Sequence, residues 1–251
     1  MDKPIVFISH ITEEAELALK LKDLIESSFL GMIEVFVSSD ETSISAGARW
    51  LDNITESLSN CSIELILCSP KSVTRPWINF EAGAGWVRNI PVIPLCHSGM
   101  EPVKLPVPLN LLQAAKISEI SSLKLIFPVL GQAIGAKTPN IDFSDFVDSV
   151  KEFELKYTFW DECNNYFSKI KTYNPNLLEV IKSGNNIRID LTETDINLFQ
   201  TWMNDFFSKN NLLEIQRTGN SSITTMGMFF ECFISPGAKL LDIVKDPKFK
   251  F

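Results

Sequence analysis

Apolar positions in the first part of the chain fall into two alternating patterns. Ile5-Val6-Phe7-Ile8, Ile33-Glu34-Val35-Phe36-Val37, Ile63 to Cys68 and Ile90 to Leu95 are short apolar runs, the length of buried strands. Between them the spacing turns helical. Leu17, Ala18, Leu21, Leu24, Ile25 and Phe29 follow Thr12, an N-cap candidate, with Glu13 and Glu14 in the first turn. Gly31 ends that helix. Trp50, Ile54 and Leu58 share one face of a second helix, after a polar loop from Ser38 to Gly47. A third helix is predicted from Pro76 to Arg88, a short one over Leu109–Ala115, a fifth strand over Lys116–Ile120 and a closing helix over Leu123–Ile134. Strands alternating with helices imply a parallel sheet with helices on both faces, an α/β fold. Ligands of such sheets bind beyond the carboxyl ends of the strands. Those ends are polar here: Ser9-His10, Ser38-Ser39-Asp40, Ser69-Pro70 and Cys96-His97.

The pattern changes after Gly135–Asn140, which reads as a linker. Two domains are therefore expected, 1–137 and 138–251. Of the 26 aromatic residues, 8 lie at or before Lys137 and 18 after it. Phe143 to Lys171 reads as one long helix or a broken pair. A short helix over Leu177–Lys182, a strand over Ile187–Leu191 and a helix capped by Thr192 follow. Leu212 to Ile215 and Met228 to Ile234 suggest a β-hairpin with a turn near Gly219-Asn220. This is an α+β domain, and helix, strand, helix, hairpin is the order of a winged helix. Its would-be recognition helix carries Glu193, Asp195 and Asp205, which oppose groove binding. The later aromatics, among them Trp160, Phe167, Trp202, Phe206, Phe207, Phe229 and Phe230, read as a second core.

Charge narrows the function. The net charge is −8, and each of the two parts carries −4, with no Lys/Arg cluster, so nucleic acid is not an expected partner. No apolar run reaches the ~18–20 residues of a membrane span, and the opening has no secretory pattern. Five cysteines at wide spacing, Cys61, Cys68, Cys96, Cys163 and Cys232, without a CxxC, fit a reducing cytoplasm. His10 and His97 are the only histidines, so no metal site is expected. There is no phosphate-binding P-loop and no G-x-S-x-G. Gly83-Ala84-Gly85 lies inside a helix, where a dinucleotide fingerprint does not occur.

The segment from Arg75 to Trp86 carries the chemistry. In a helix, Trp77 and Glu81 stand one turn apart on one face. A carboxylate beside an aromatic platform suits a substrate with a ribose and a flat base. The acid binds hydroxyls or stabilises positive charge at an anomeric carbon, and the ring stacks. Gly83 and Gly85 each cost about 1 kcal/mol inside a helix, a cost that a close packing partner would explain.

These residues, taken in order, resemble the TIR (Toll/interleukin-1 receptor) domain family, in particular its bacterial branch. The resemblance covers roughly Met1 to Lys137. Val6-Phe7-Ile8-Ser9-His10 resembles the family's first box. Gly47-Ala48-Arg49-Trp50 with Ile54 resembles its G-x-x-W-x-x-x-I segment, and Leu67-Cys68-Ser69-Pro70 the end of its third strand. Trp77 to Glu81 matches the W-x-x-x-E of enzymatic members, continued by Ala82-Gly83-Ala84. Where many members have a small serine two before the tryptophan, this chain has Arg75-Pro76.

The resemblance implies a flavodoxin-like five-stranded parallel sheet and an enzyme that cleaves the nicotinamide–ribose bond of NAD+, its substrate, with no cofactor. It makes Glu81 the catalytic acid and Trp77 a pocket wall. Phe7, Ile8, Ser9 and His10 become floor and rim. Ser38, Ser39 and Asp40 begin a covering loop, which Trp50 supports. It further implies self-association through TIR domains with Ser43-Ile44-Ser45-Ala46 as contact, an effector that responds to a cyclic ADP-ribose product, and a role in antiphage defence. The second domain is then regulatory or oligomerising. Two other readings stand beside it: a non-enzymatic TIR scaffold, and a nucleoside deoxyribosyltransferase-like enzyme.

Overall fold

The computed structural model describes residues 3–38, 50–225 and 227–251, with backbone only for 50–53. The chain divides into two compact units, Met1–Tyr157 and Thr158–Phe251.

Five parallel strands build the first unit: β1 (Ile5–Ser9), β2 (Glu34–Val37), β3 (Ile63–Cys68), β4 (Val92–Cys96) and β5 (Ala115–Lys116). Their order is β2-β1-β3-β4-β5, with the first strand inside the sheet and the crossovers running both ways. The helical crossovers are α1 (Ala15–Ser28), α2 (Trp50–Asn60) and α3 (Pro76–Val87), and α4 (Ile120–Ala133) follows β5. Strand alternation divides each strand between two cores. Val6, Ile8, Val35, Val37, Leu65 and Leu67 pack with α1 and α4. On the other face, Phe7, Phe36, Ile54 and Leu58 form one cluster, and Ile66, Cys68, Ile78 and Ala82 another.

Three element boundaries differ from the sequence reading. Thr12 does not cap α1: a 3-10 turn, Thr12–Glu14, precedes the helix, and Ile11 stands at the cap. Leu109–Leu111 is a single 3-10 turn, hemmed in by Pro106 and Pro108. β5 is only two residues long, because α4 starts at Ile120.

The division between units also falls later than the 137/138 boundary. A 30-residue helix, α5 (Ser144–Tyr173), follows the expected linker. Phe143, Phe146, Val147, Val150 and Phe153 are buried in the same core as α1 and α4. Lys137 ends the sheet-and-helix pattern, but it does not end the core.

In the second unit the rest of α5 is followed by α6 (Pro175–Lys182), β6 (Ile187–Leu191), α7 (Glu193–Trp202), a π turn (Met203–Phe207), β7 (Leu213–Thr224), β8 (Gly227–Pro236) and α8 (Leu240–Lys245). The sheet is antiparallel, β6-β8-β7. Thr192 caps α7 as expected: its Oγ1 accepts from the Asp195 N–H, and the Asp195 carboxylate accepts from the Thr192 N–H. Asn174 caps α6 through its side-chain oxygen, which accepts from the Asn176 and Leu177 N–H groups. Phe167, Phe199, Phe206 and Phe207 are buried centrally, with Trp160 and Phe230 partly buried against them, while Phe229 lies outside the cluster. The hairpin exists, but Gly219-Asn220 is not its turn. Those residues lie within β7 at a register shift between Arg217 and Ser221, and β7 runs on to Thr224. Gly219, at φ +90, absorbs the extra residues without reversing the chain.

Candidate active site

β1 and α3 supply the site. β1 lies between β2 and β3, with Ser9 level with Ile66 of β3. Ser9 is the last residue of β1, so its side chain stands at the carboxyl end of a central strand. Pro76 occupies the first turn of α3, where its missing N–H costs nothing. Trp77 and Glu81 follow one helical turn apart. Glu81 is completely buried. The Ser9 hydroxyl donates to its Oε2 at 2.5 Å. The Trp77 indole N–H donates to its Oε1 at 2.7 Å.

Burial pushes the Glu81 carboxyl up to about 7, against the pull of the Ser9 and Trp77 hydrogen bonds. The acid therefore changes charge close to neutrality. Among the described residues, no basic side chain is one of the groups that act on it. Buried as it is, an ionised Glu81 acts strongly on a cation beside it.

A second carboxyl lies behind the first. Glu64 on β3 is level with Phe7 of β1 and Val92 of β4, and is also completely buried. Neither of its oxygens has a hydrogen-bond partner among the described residues. Burial, and then the charge of Glu81, push it up to about 9, partly offset by Arg88. Glu81 ionises first, so the repulsion between the two falls on Glu64, which stays a neutral acid at neutral pH. Gly85 makes room for it: a Cβ at position 85 would lie 2.2 Å from Glu64 Oε2 and 2.7 Å from Val92 Cγ2. Gly85 thus has the close partner expected of it, whereas a Cβ on Gly83 would meet nothing within 4 Å.

The remaining expected residues are distributed as follows. Phe7 lies on the Glu81 face of β1, buried and stacked on Phe36 with ring centroids 5.5 Å apart. Ile8 belongs to the core on the opposite face, so its side chain cannot line the same pocket. His10 is buried at the rim, and its Nδ1 donates to the Ile11 carbonyl at 2.7 Å. Burial lowers its pKa, against the Ile11 carbonyl and the charge of Glu14. Ser38 is buried just after β2. Ser39, Asp40 and Ser43 to Ala46 lie outside the described residues, as does the side chain of Trp50, whose backbone begins α2. Trp77 stacks on Phe80 at 5.1 Å, and Phe80 is 59% exposed. Arg75, in the departure from the family pattern, faces Glu13 at 3.5 Å on the surface.

The sequence reading missed Glu64, Gly85's specific partner and Phe80. A charged residue inside an otherwise apolar strand was the available signal for Glu64. Among the described residues, no group of three or more His, Cys, Asp or Glu side chains could hold a metal ion, and no helix is long and apolar enough to cross a membrane. All five cysteines are free and buried.

A five-stranded parallel sheet in this order, with a buried acid at the carboxyl ends of its strands, is a doubly wound α/β unit of flavodoxin type. Residues 6–134 match the family model described as TIR domain, and the chain belongs to the TIR domain family. Among solved structures, it is similar to the TIR domain of the Toll-related receptor TRR-2 from Hydra magnipapillata. The identity is 18% and the TM-score 0.40, over 52% of this chain and 97% of that one. It is also similar to a metazoan TIR-STING receptor from C. gigas, at 14% identity and a TM-score of 0.39, over 69% of this chain and 55% of that one. No curated protein matches the chain.

Proposed function

We propose that this TIR protein is an NAD+ nucleosidase, a hydrolase or a cyclase, with Glu81 as the catalytic carboxylate. The observation that carries the reading is Glu81 itself: completely buried, and held by the Ser9 hydroxyl and the Trp77 indole N–H.

The substrate suits this arrangement. The nicotinamide of NAD+ is a cationic leaving group, so it departs without being protonated. The C–N bond to the ribose breaks, the bonding pair leaves with neutral nicotinamide, and positive charge develops on the ribose. An ionised Glu81 stabilises that charge more in the transition state than in the ground state. Trp77 and Phe80 offer aromatic surface for stacking. The acceptor then bonds to the anomeric carbon. Water gives ADP-ribose and a released proton. An adenine nitrogen or a ribose hydroxyl of the same molecule gives a cyclic isomer, again with release of a proton.

The family resemblance extends the reading. The protein acts in the cytoplasm, in antiphage defence signalling, and its TIR units self-associate. An effector answers the cyclic product where one is made, and the second unit regulates or drives assembly.

The test is NAD+ turnover by the wild type and Glu81→Ala, across protein concentration, with products separated by chromatography and mass. Turnover that rises steeply with concentration and vanishes in the variant supports the reading. A Glu81→Ala variant that keeps the full biological effect overturns it in favour of a scaffold. Turnover of deoxynucleosides without NAD+ cleavage overturns it in favour of a deoxyribosyltransferase.

A further inference from the structure

A second buried polar cluster occupies the same edge of the sheet, and Glu14 is its centre. The Glu14 side chain is completely buried. Its Oε1 accepts from the Ser69 hydroxyl at 2.6 Å, lies 3.1 Å from His97 Nε2, and accepts from the Tyr157 hydroxyl at 3.4 Å. Its Oε2 accepts from the Ile11 N–H at 3.2 Å. The Ser69 and Tyr157 hydroxyls are 3.0 Å apart. His97 Nδ1 is 2.9 Å from the Ser98 hydroxyl, and the Ser98 N–H donates to Glu154 at 2.8 Å. One carboxylate thus joins the turn after β1, the residues after β3 and β4, and the helix α5.

Capping the turn at Ile11 requires only one of these contacts. The others tie that turn to Tyr157, and they do so by burying a charge, which is costly compared with apolar packing. Burial opposes the charge on Glu14, but the contacts with His97, Ser69 and Ile11 outweigh it and hold the carboxyl below its ordinary range. The segment held in this way, His10-Ile11, continues directly from Ser9, the last residue of β1, whose hydroxyl binds Glu81.

We propose that Glu14 and Tyr157 are positioning residues for Glu81: with Ser69 and His97 they fix the turn after β1, and through it the Ser9 hydroxyl on the catalytic carboxylate. The proposal rests on the reading of Glu81 as the catalytic group, but the coupling is observable without turnover. Tyr157 sits on α5, which continues to Tyr173. The docking of that helix therefore sets the geometry of the site.

Tyr157→Phe, in the full chain, is the informative variant. It keeps the ring against His97, at 5.6 Å, and Phe153, at 5.3 Å, and removes only the hydroxyl. The expected result is a kcat for NAD+ lowered by about threefold to tenfold, the worth of one hydrogen bond, at an unchanged KM. The Ile11 amide exchanges faster, and the Trp77 indole N–H resonance, assigned by its loss in Trp77→Phe, shifts. Glu14→Gln changes all three in the same direction and further. Leu155→Ala, an exposed change on the same helix, leaves them unchanged. A lowered melting temperature with unchanged kcat, exchange and resonance would overturn the proposal and leave a structural brace. If the wild type does not cleave NAD+ but the exchange and the resonance respond, the coupling stands and the proposed reaction falls.

Discussion

Ser9 and Trp77 hold one carboxylate oxygen of Glu81 each, at 2.5 and 2.7 Å, from two different elements of the fold. Both donors favour the ionised acid, so each works against its burial. Ser9→Ala and Trp77→Phe should therefore raise the proton affinity of Glu81. We expect the acid limb of the kcat profile to move up by on the order of one pH unit in each variant. Activity at pH 7 falls more than activity at pH 9. A pH–rate series on the three proteins checks this, and limbs that coincide with the wild type would refute it.

The wild-type profile itself is expected to rise through about pH 7, where Glu81 becomes ionised. Below that pH the carboxyl is neutral and stabilises no positive charge. Glu81→Gln removes the limb and lowers kcat on the order of a thousandfold. Steady-state rates from pH 5.5 to 8.5 measure both.

Glu64 makes a prediction about stability. In the folded chain it holds its proton up to about pH 9, whereas an unfolded chain releases it near the ordinary carboxylate value. Below that ordinary value both states are protonated and nothing is lost. Above it, stability falls as pH rises, until the folded group ionises as well. Glu64→Leu removes this dependence and leaves no oxygen unpartnered. Its gain in melting temperature over the wild type should be small at pH 5 and grow toward pH 8. A gain that is constant with pH would show that Glu64 is ionised in the fold.

Gly85→Ala places a methyl 2.2 Å from Glu64 Oε2 and 2.7 Å from Val92. We expect a loss of about 1–3 kcal/mol, as for other overpacked sites. Most of it should return in the double variant with Glu64→Val, which shortens the side chain opposite. Denaturant titration of the four proteins gives the coupling, and strict additivity would contradict it.

The unit boundary is testable by truncation. A chain ended after Lys137 loses Phe143, Phe146, Val147, Val150 and Phe153 from the core. At about 3–5 kcal/mol for each buried phenylalanine, the loss exceeds the margin of most domains. Such a chain should show no cooperative melt by near-ultraviolet circular dichroism, and one ended after Tyr157 should show one.

The strands were the most legible part of the fold. Ile63–Cys68 and Ile187–Leu191 are legible to the residue: the first is apolar but for Glu64, the second alternates apolar residues with Arg188 and Asp190, the period of a half-buried strand. Glu81 was legible through its spacing from Trp77. What escaped was tertiary in origin. Phe143, Phe146 and Phe153 look alike whether they serve the first core or a second, and only packing assigns them. Ile8 and Phe7 are neighbours with opposite faces, so a motif that names both cannot line one pocket with both. Gly219-Asn220 has the composition of a turn, and a bulge inside a long strand asks for the same residues. Glu14, read as a favourable charge in a first turn, proved to be the centre of a buried cluster, since its partners are distant in sequence.

The fit between Glu64 and Gly85 has an evolutionary corollary. Neither position is free to drift alone: a side chain at 85 is admitted only once the group at 64 has shrunk, and an acid at 64 persists only while 85 remains bare. Among homologous sequences the two sites should vary together, with glycine at 85 wherever 64 is long. A lineage that lost the acid would be released from that glycine, and alanine, the better helix former, should take its place.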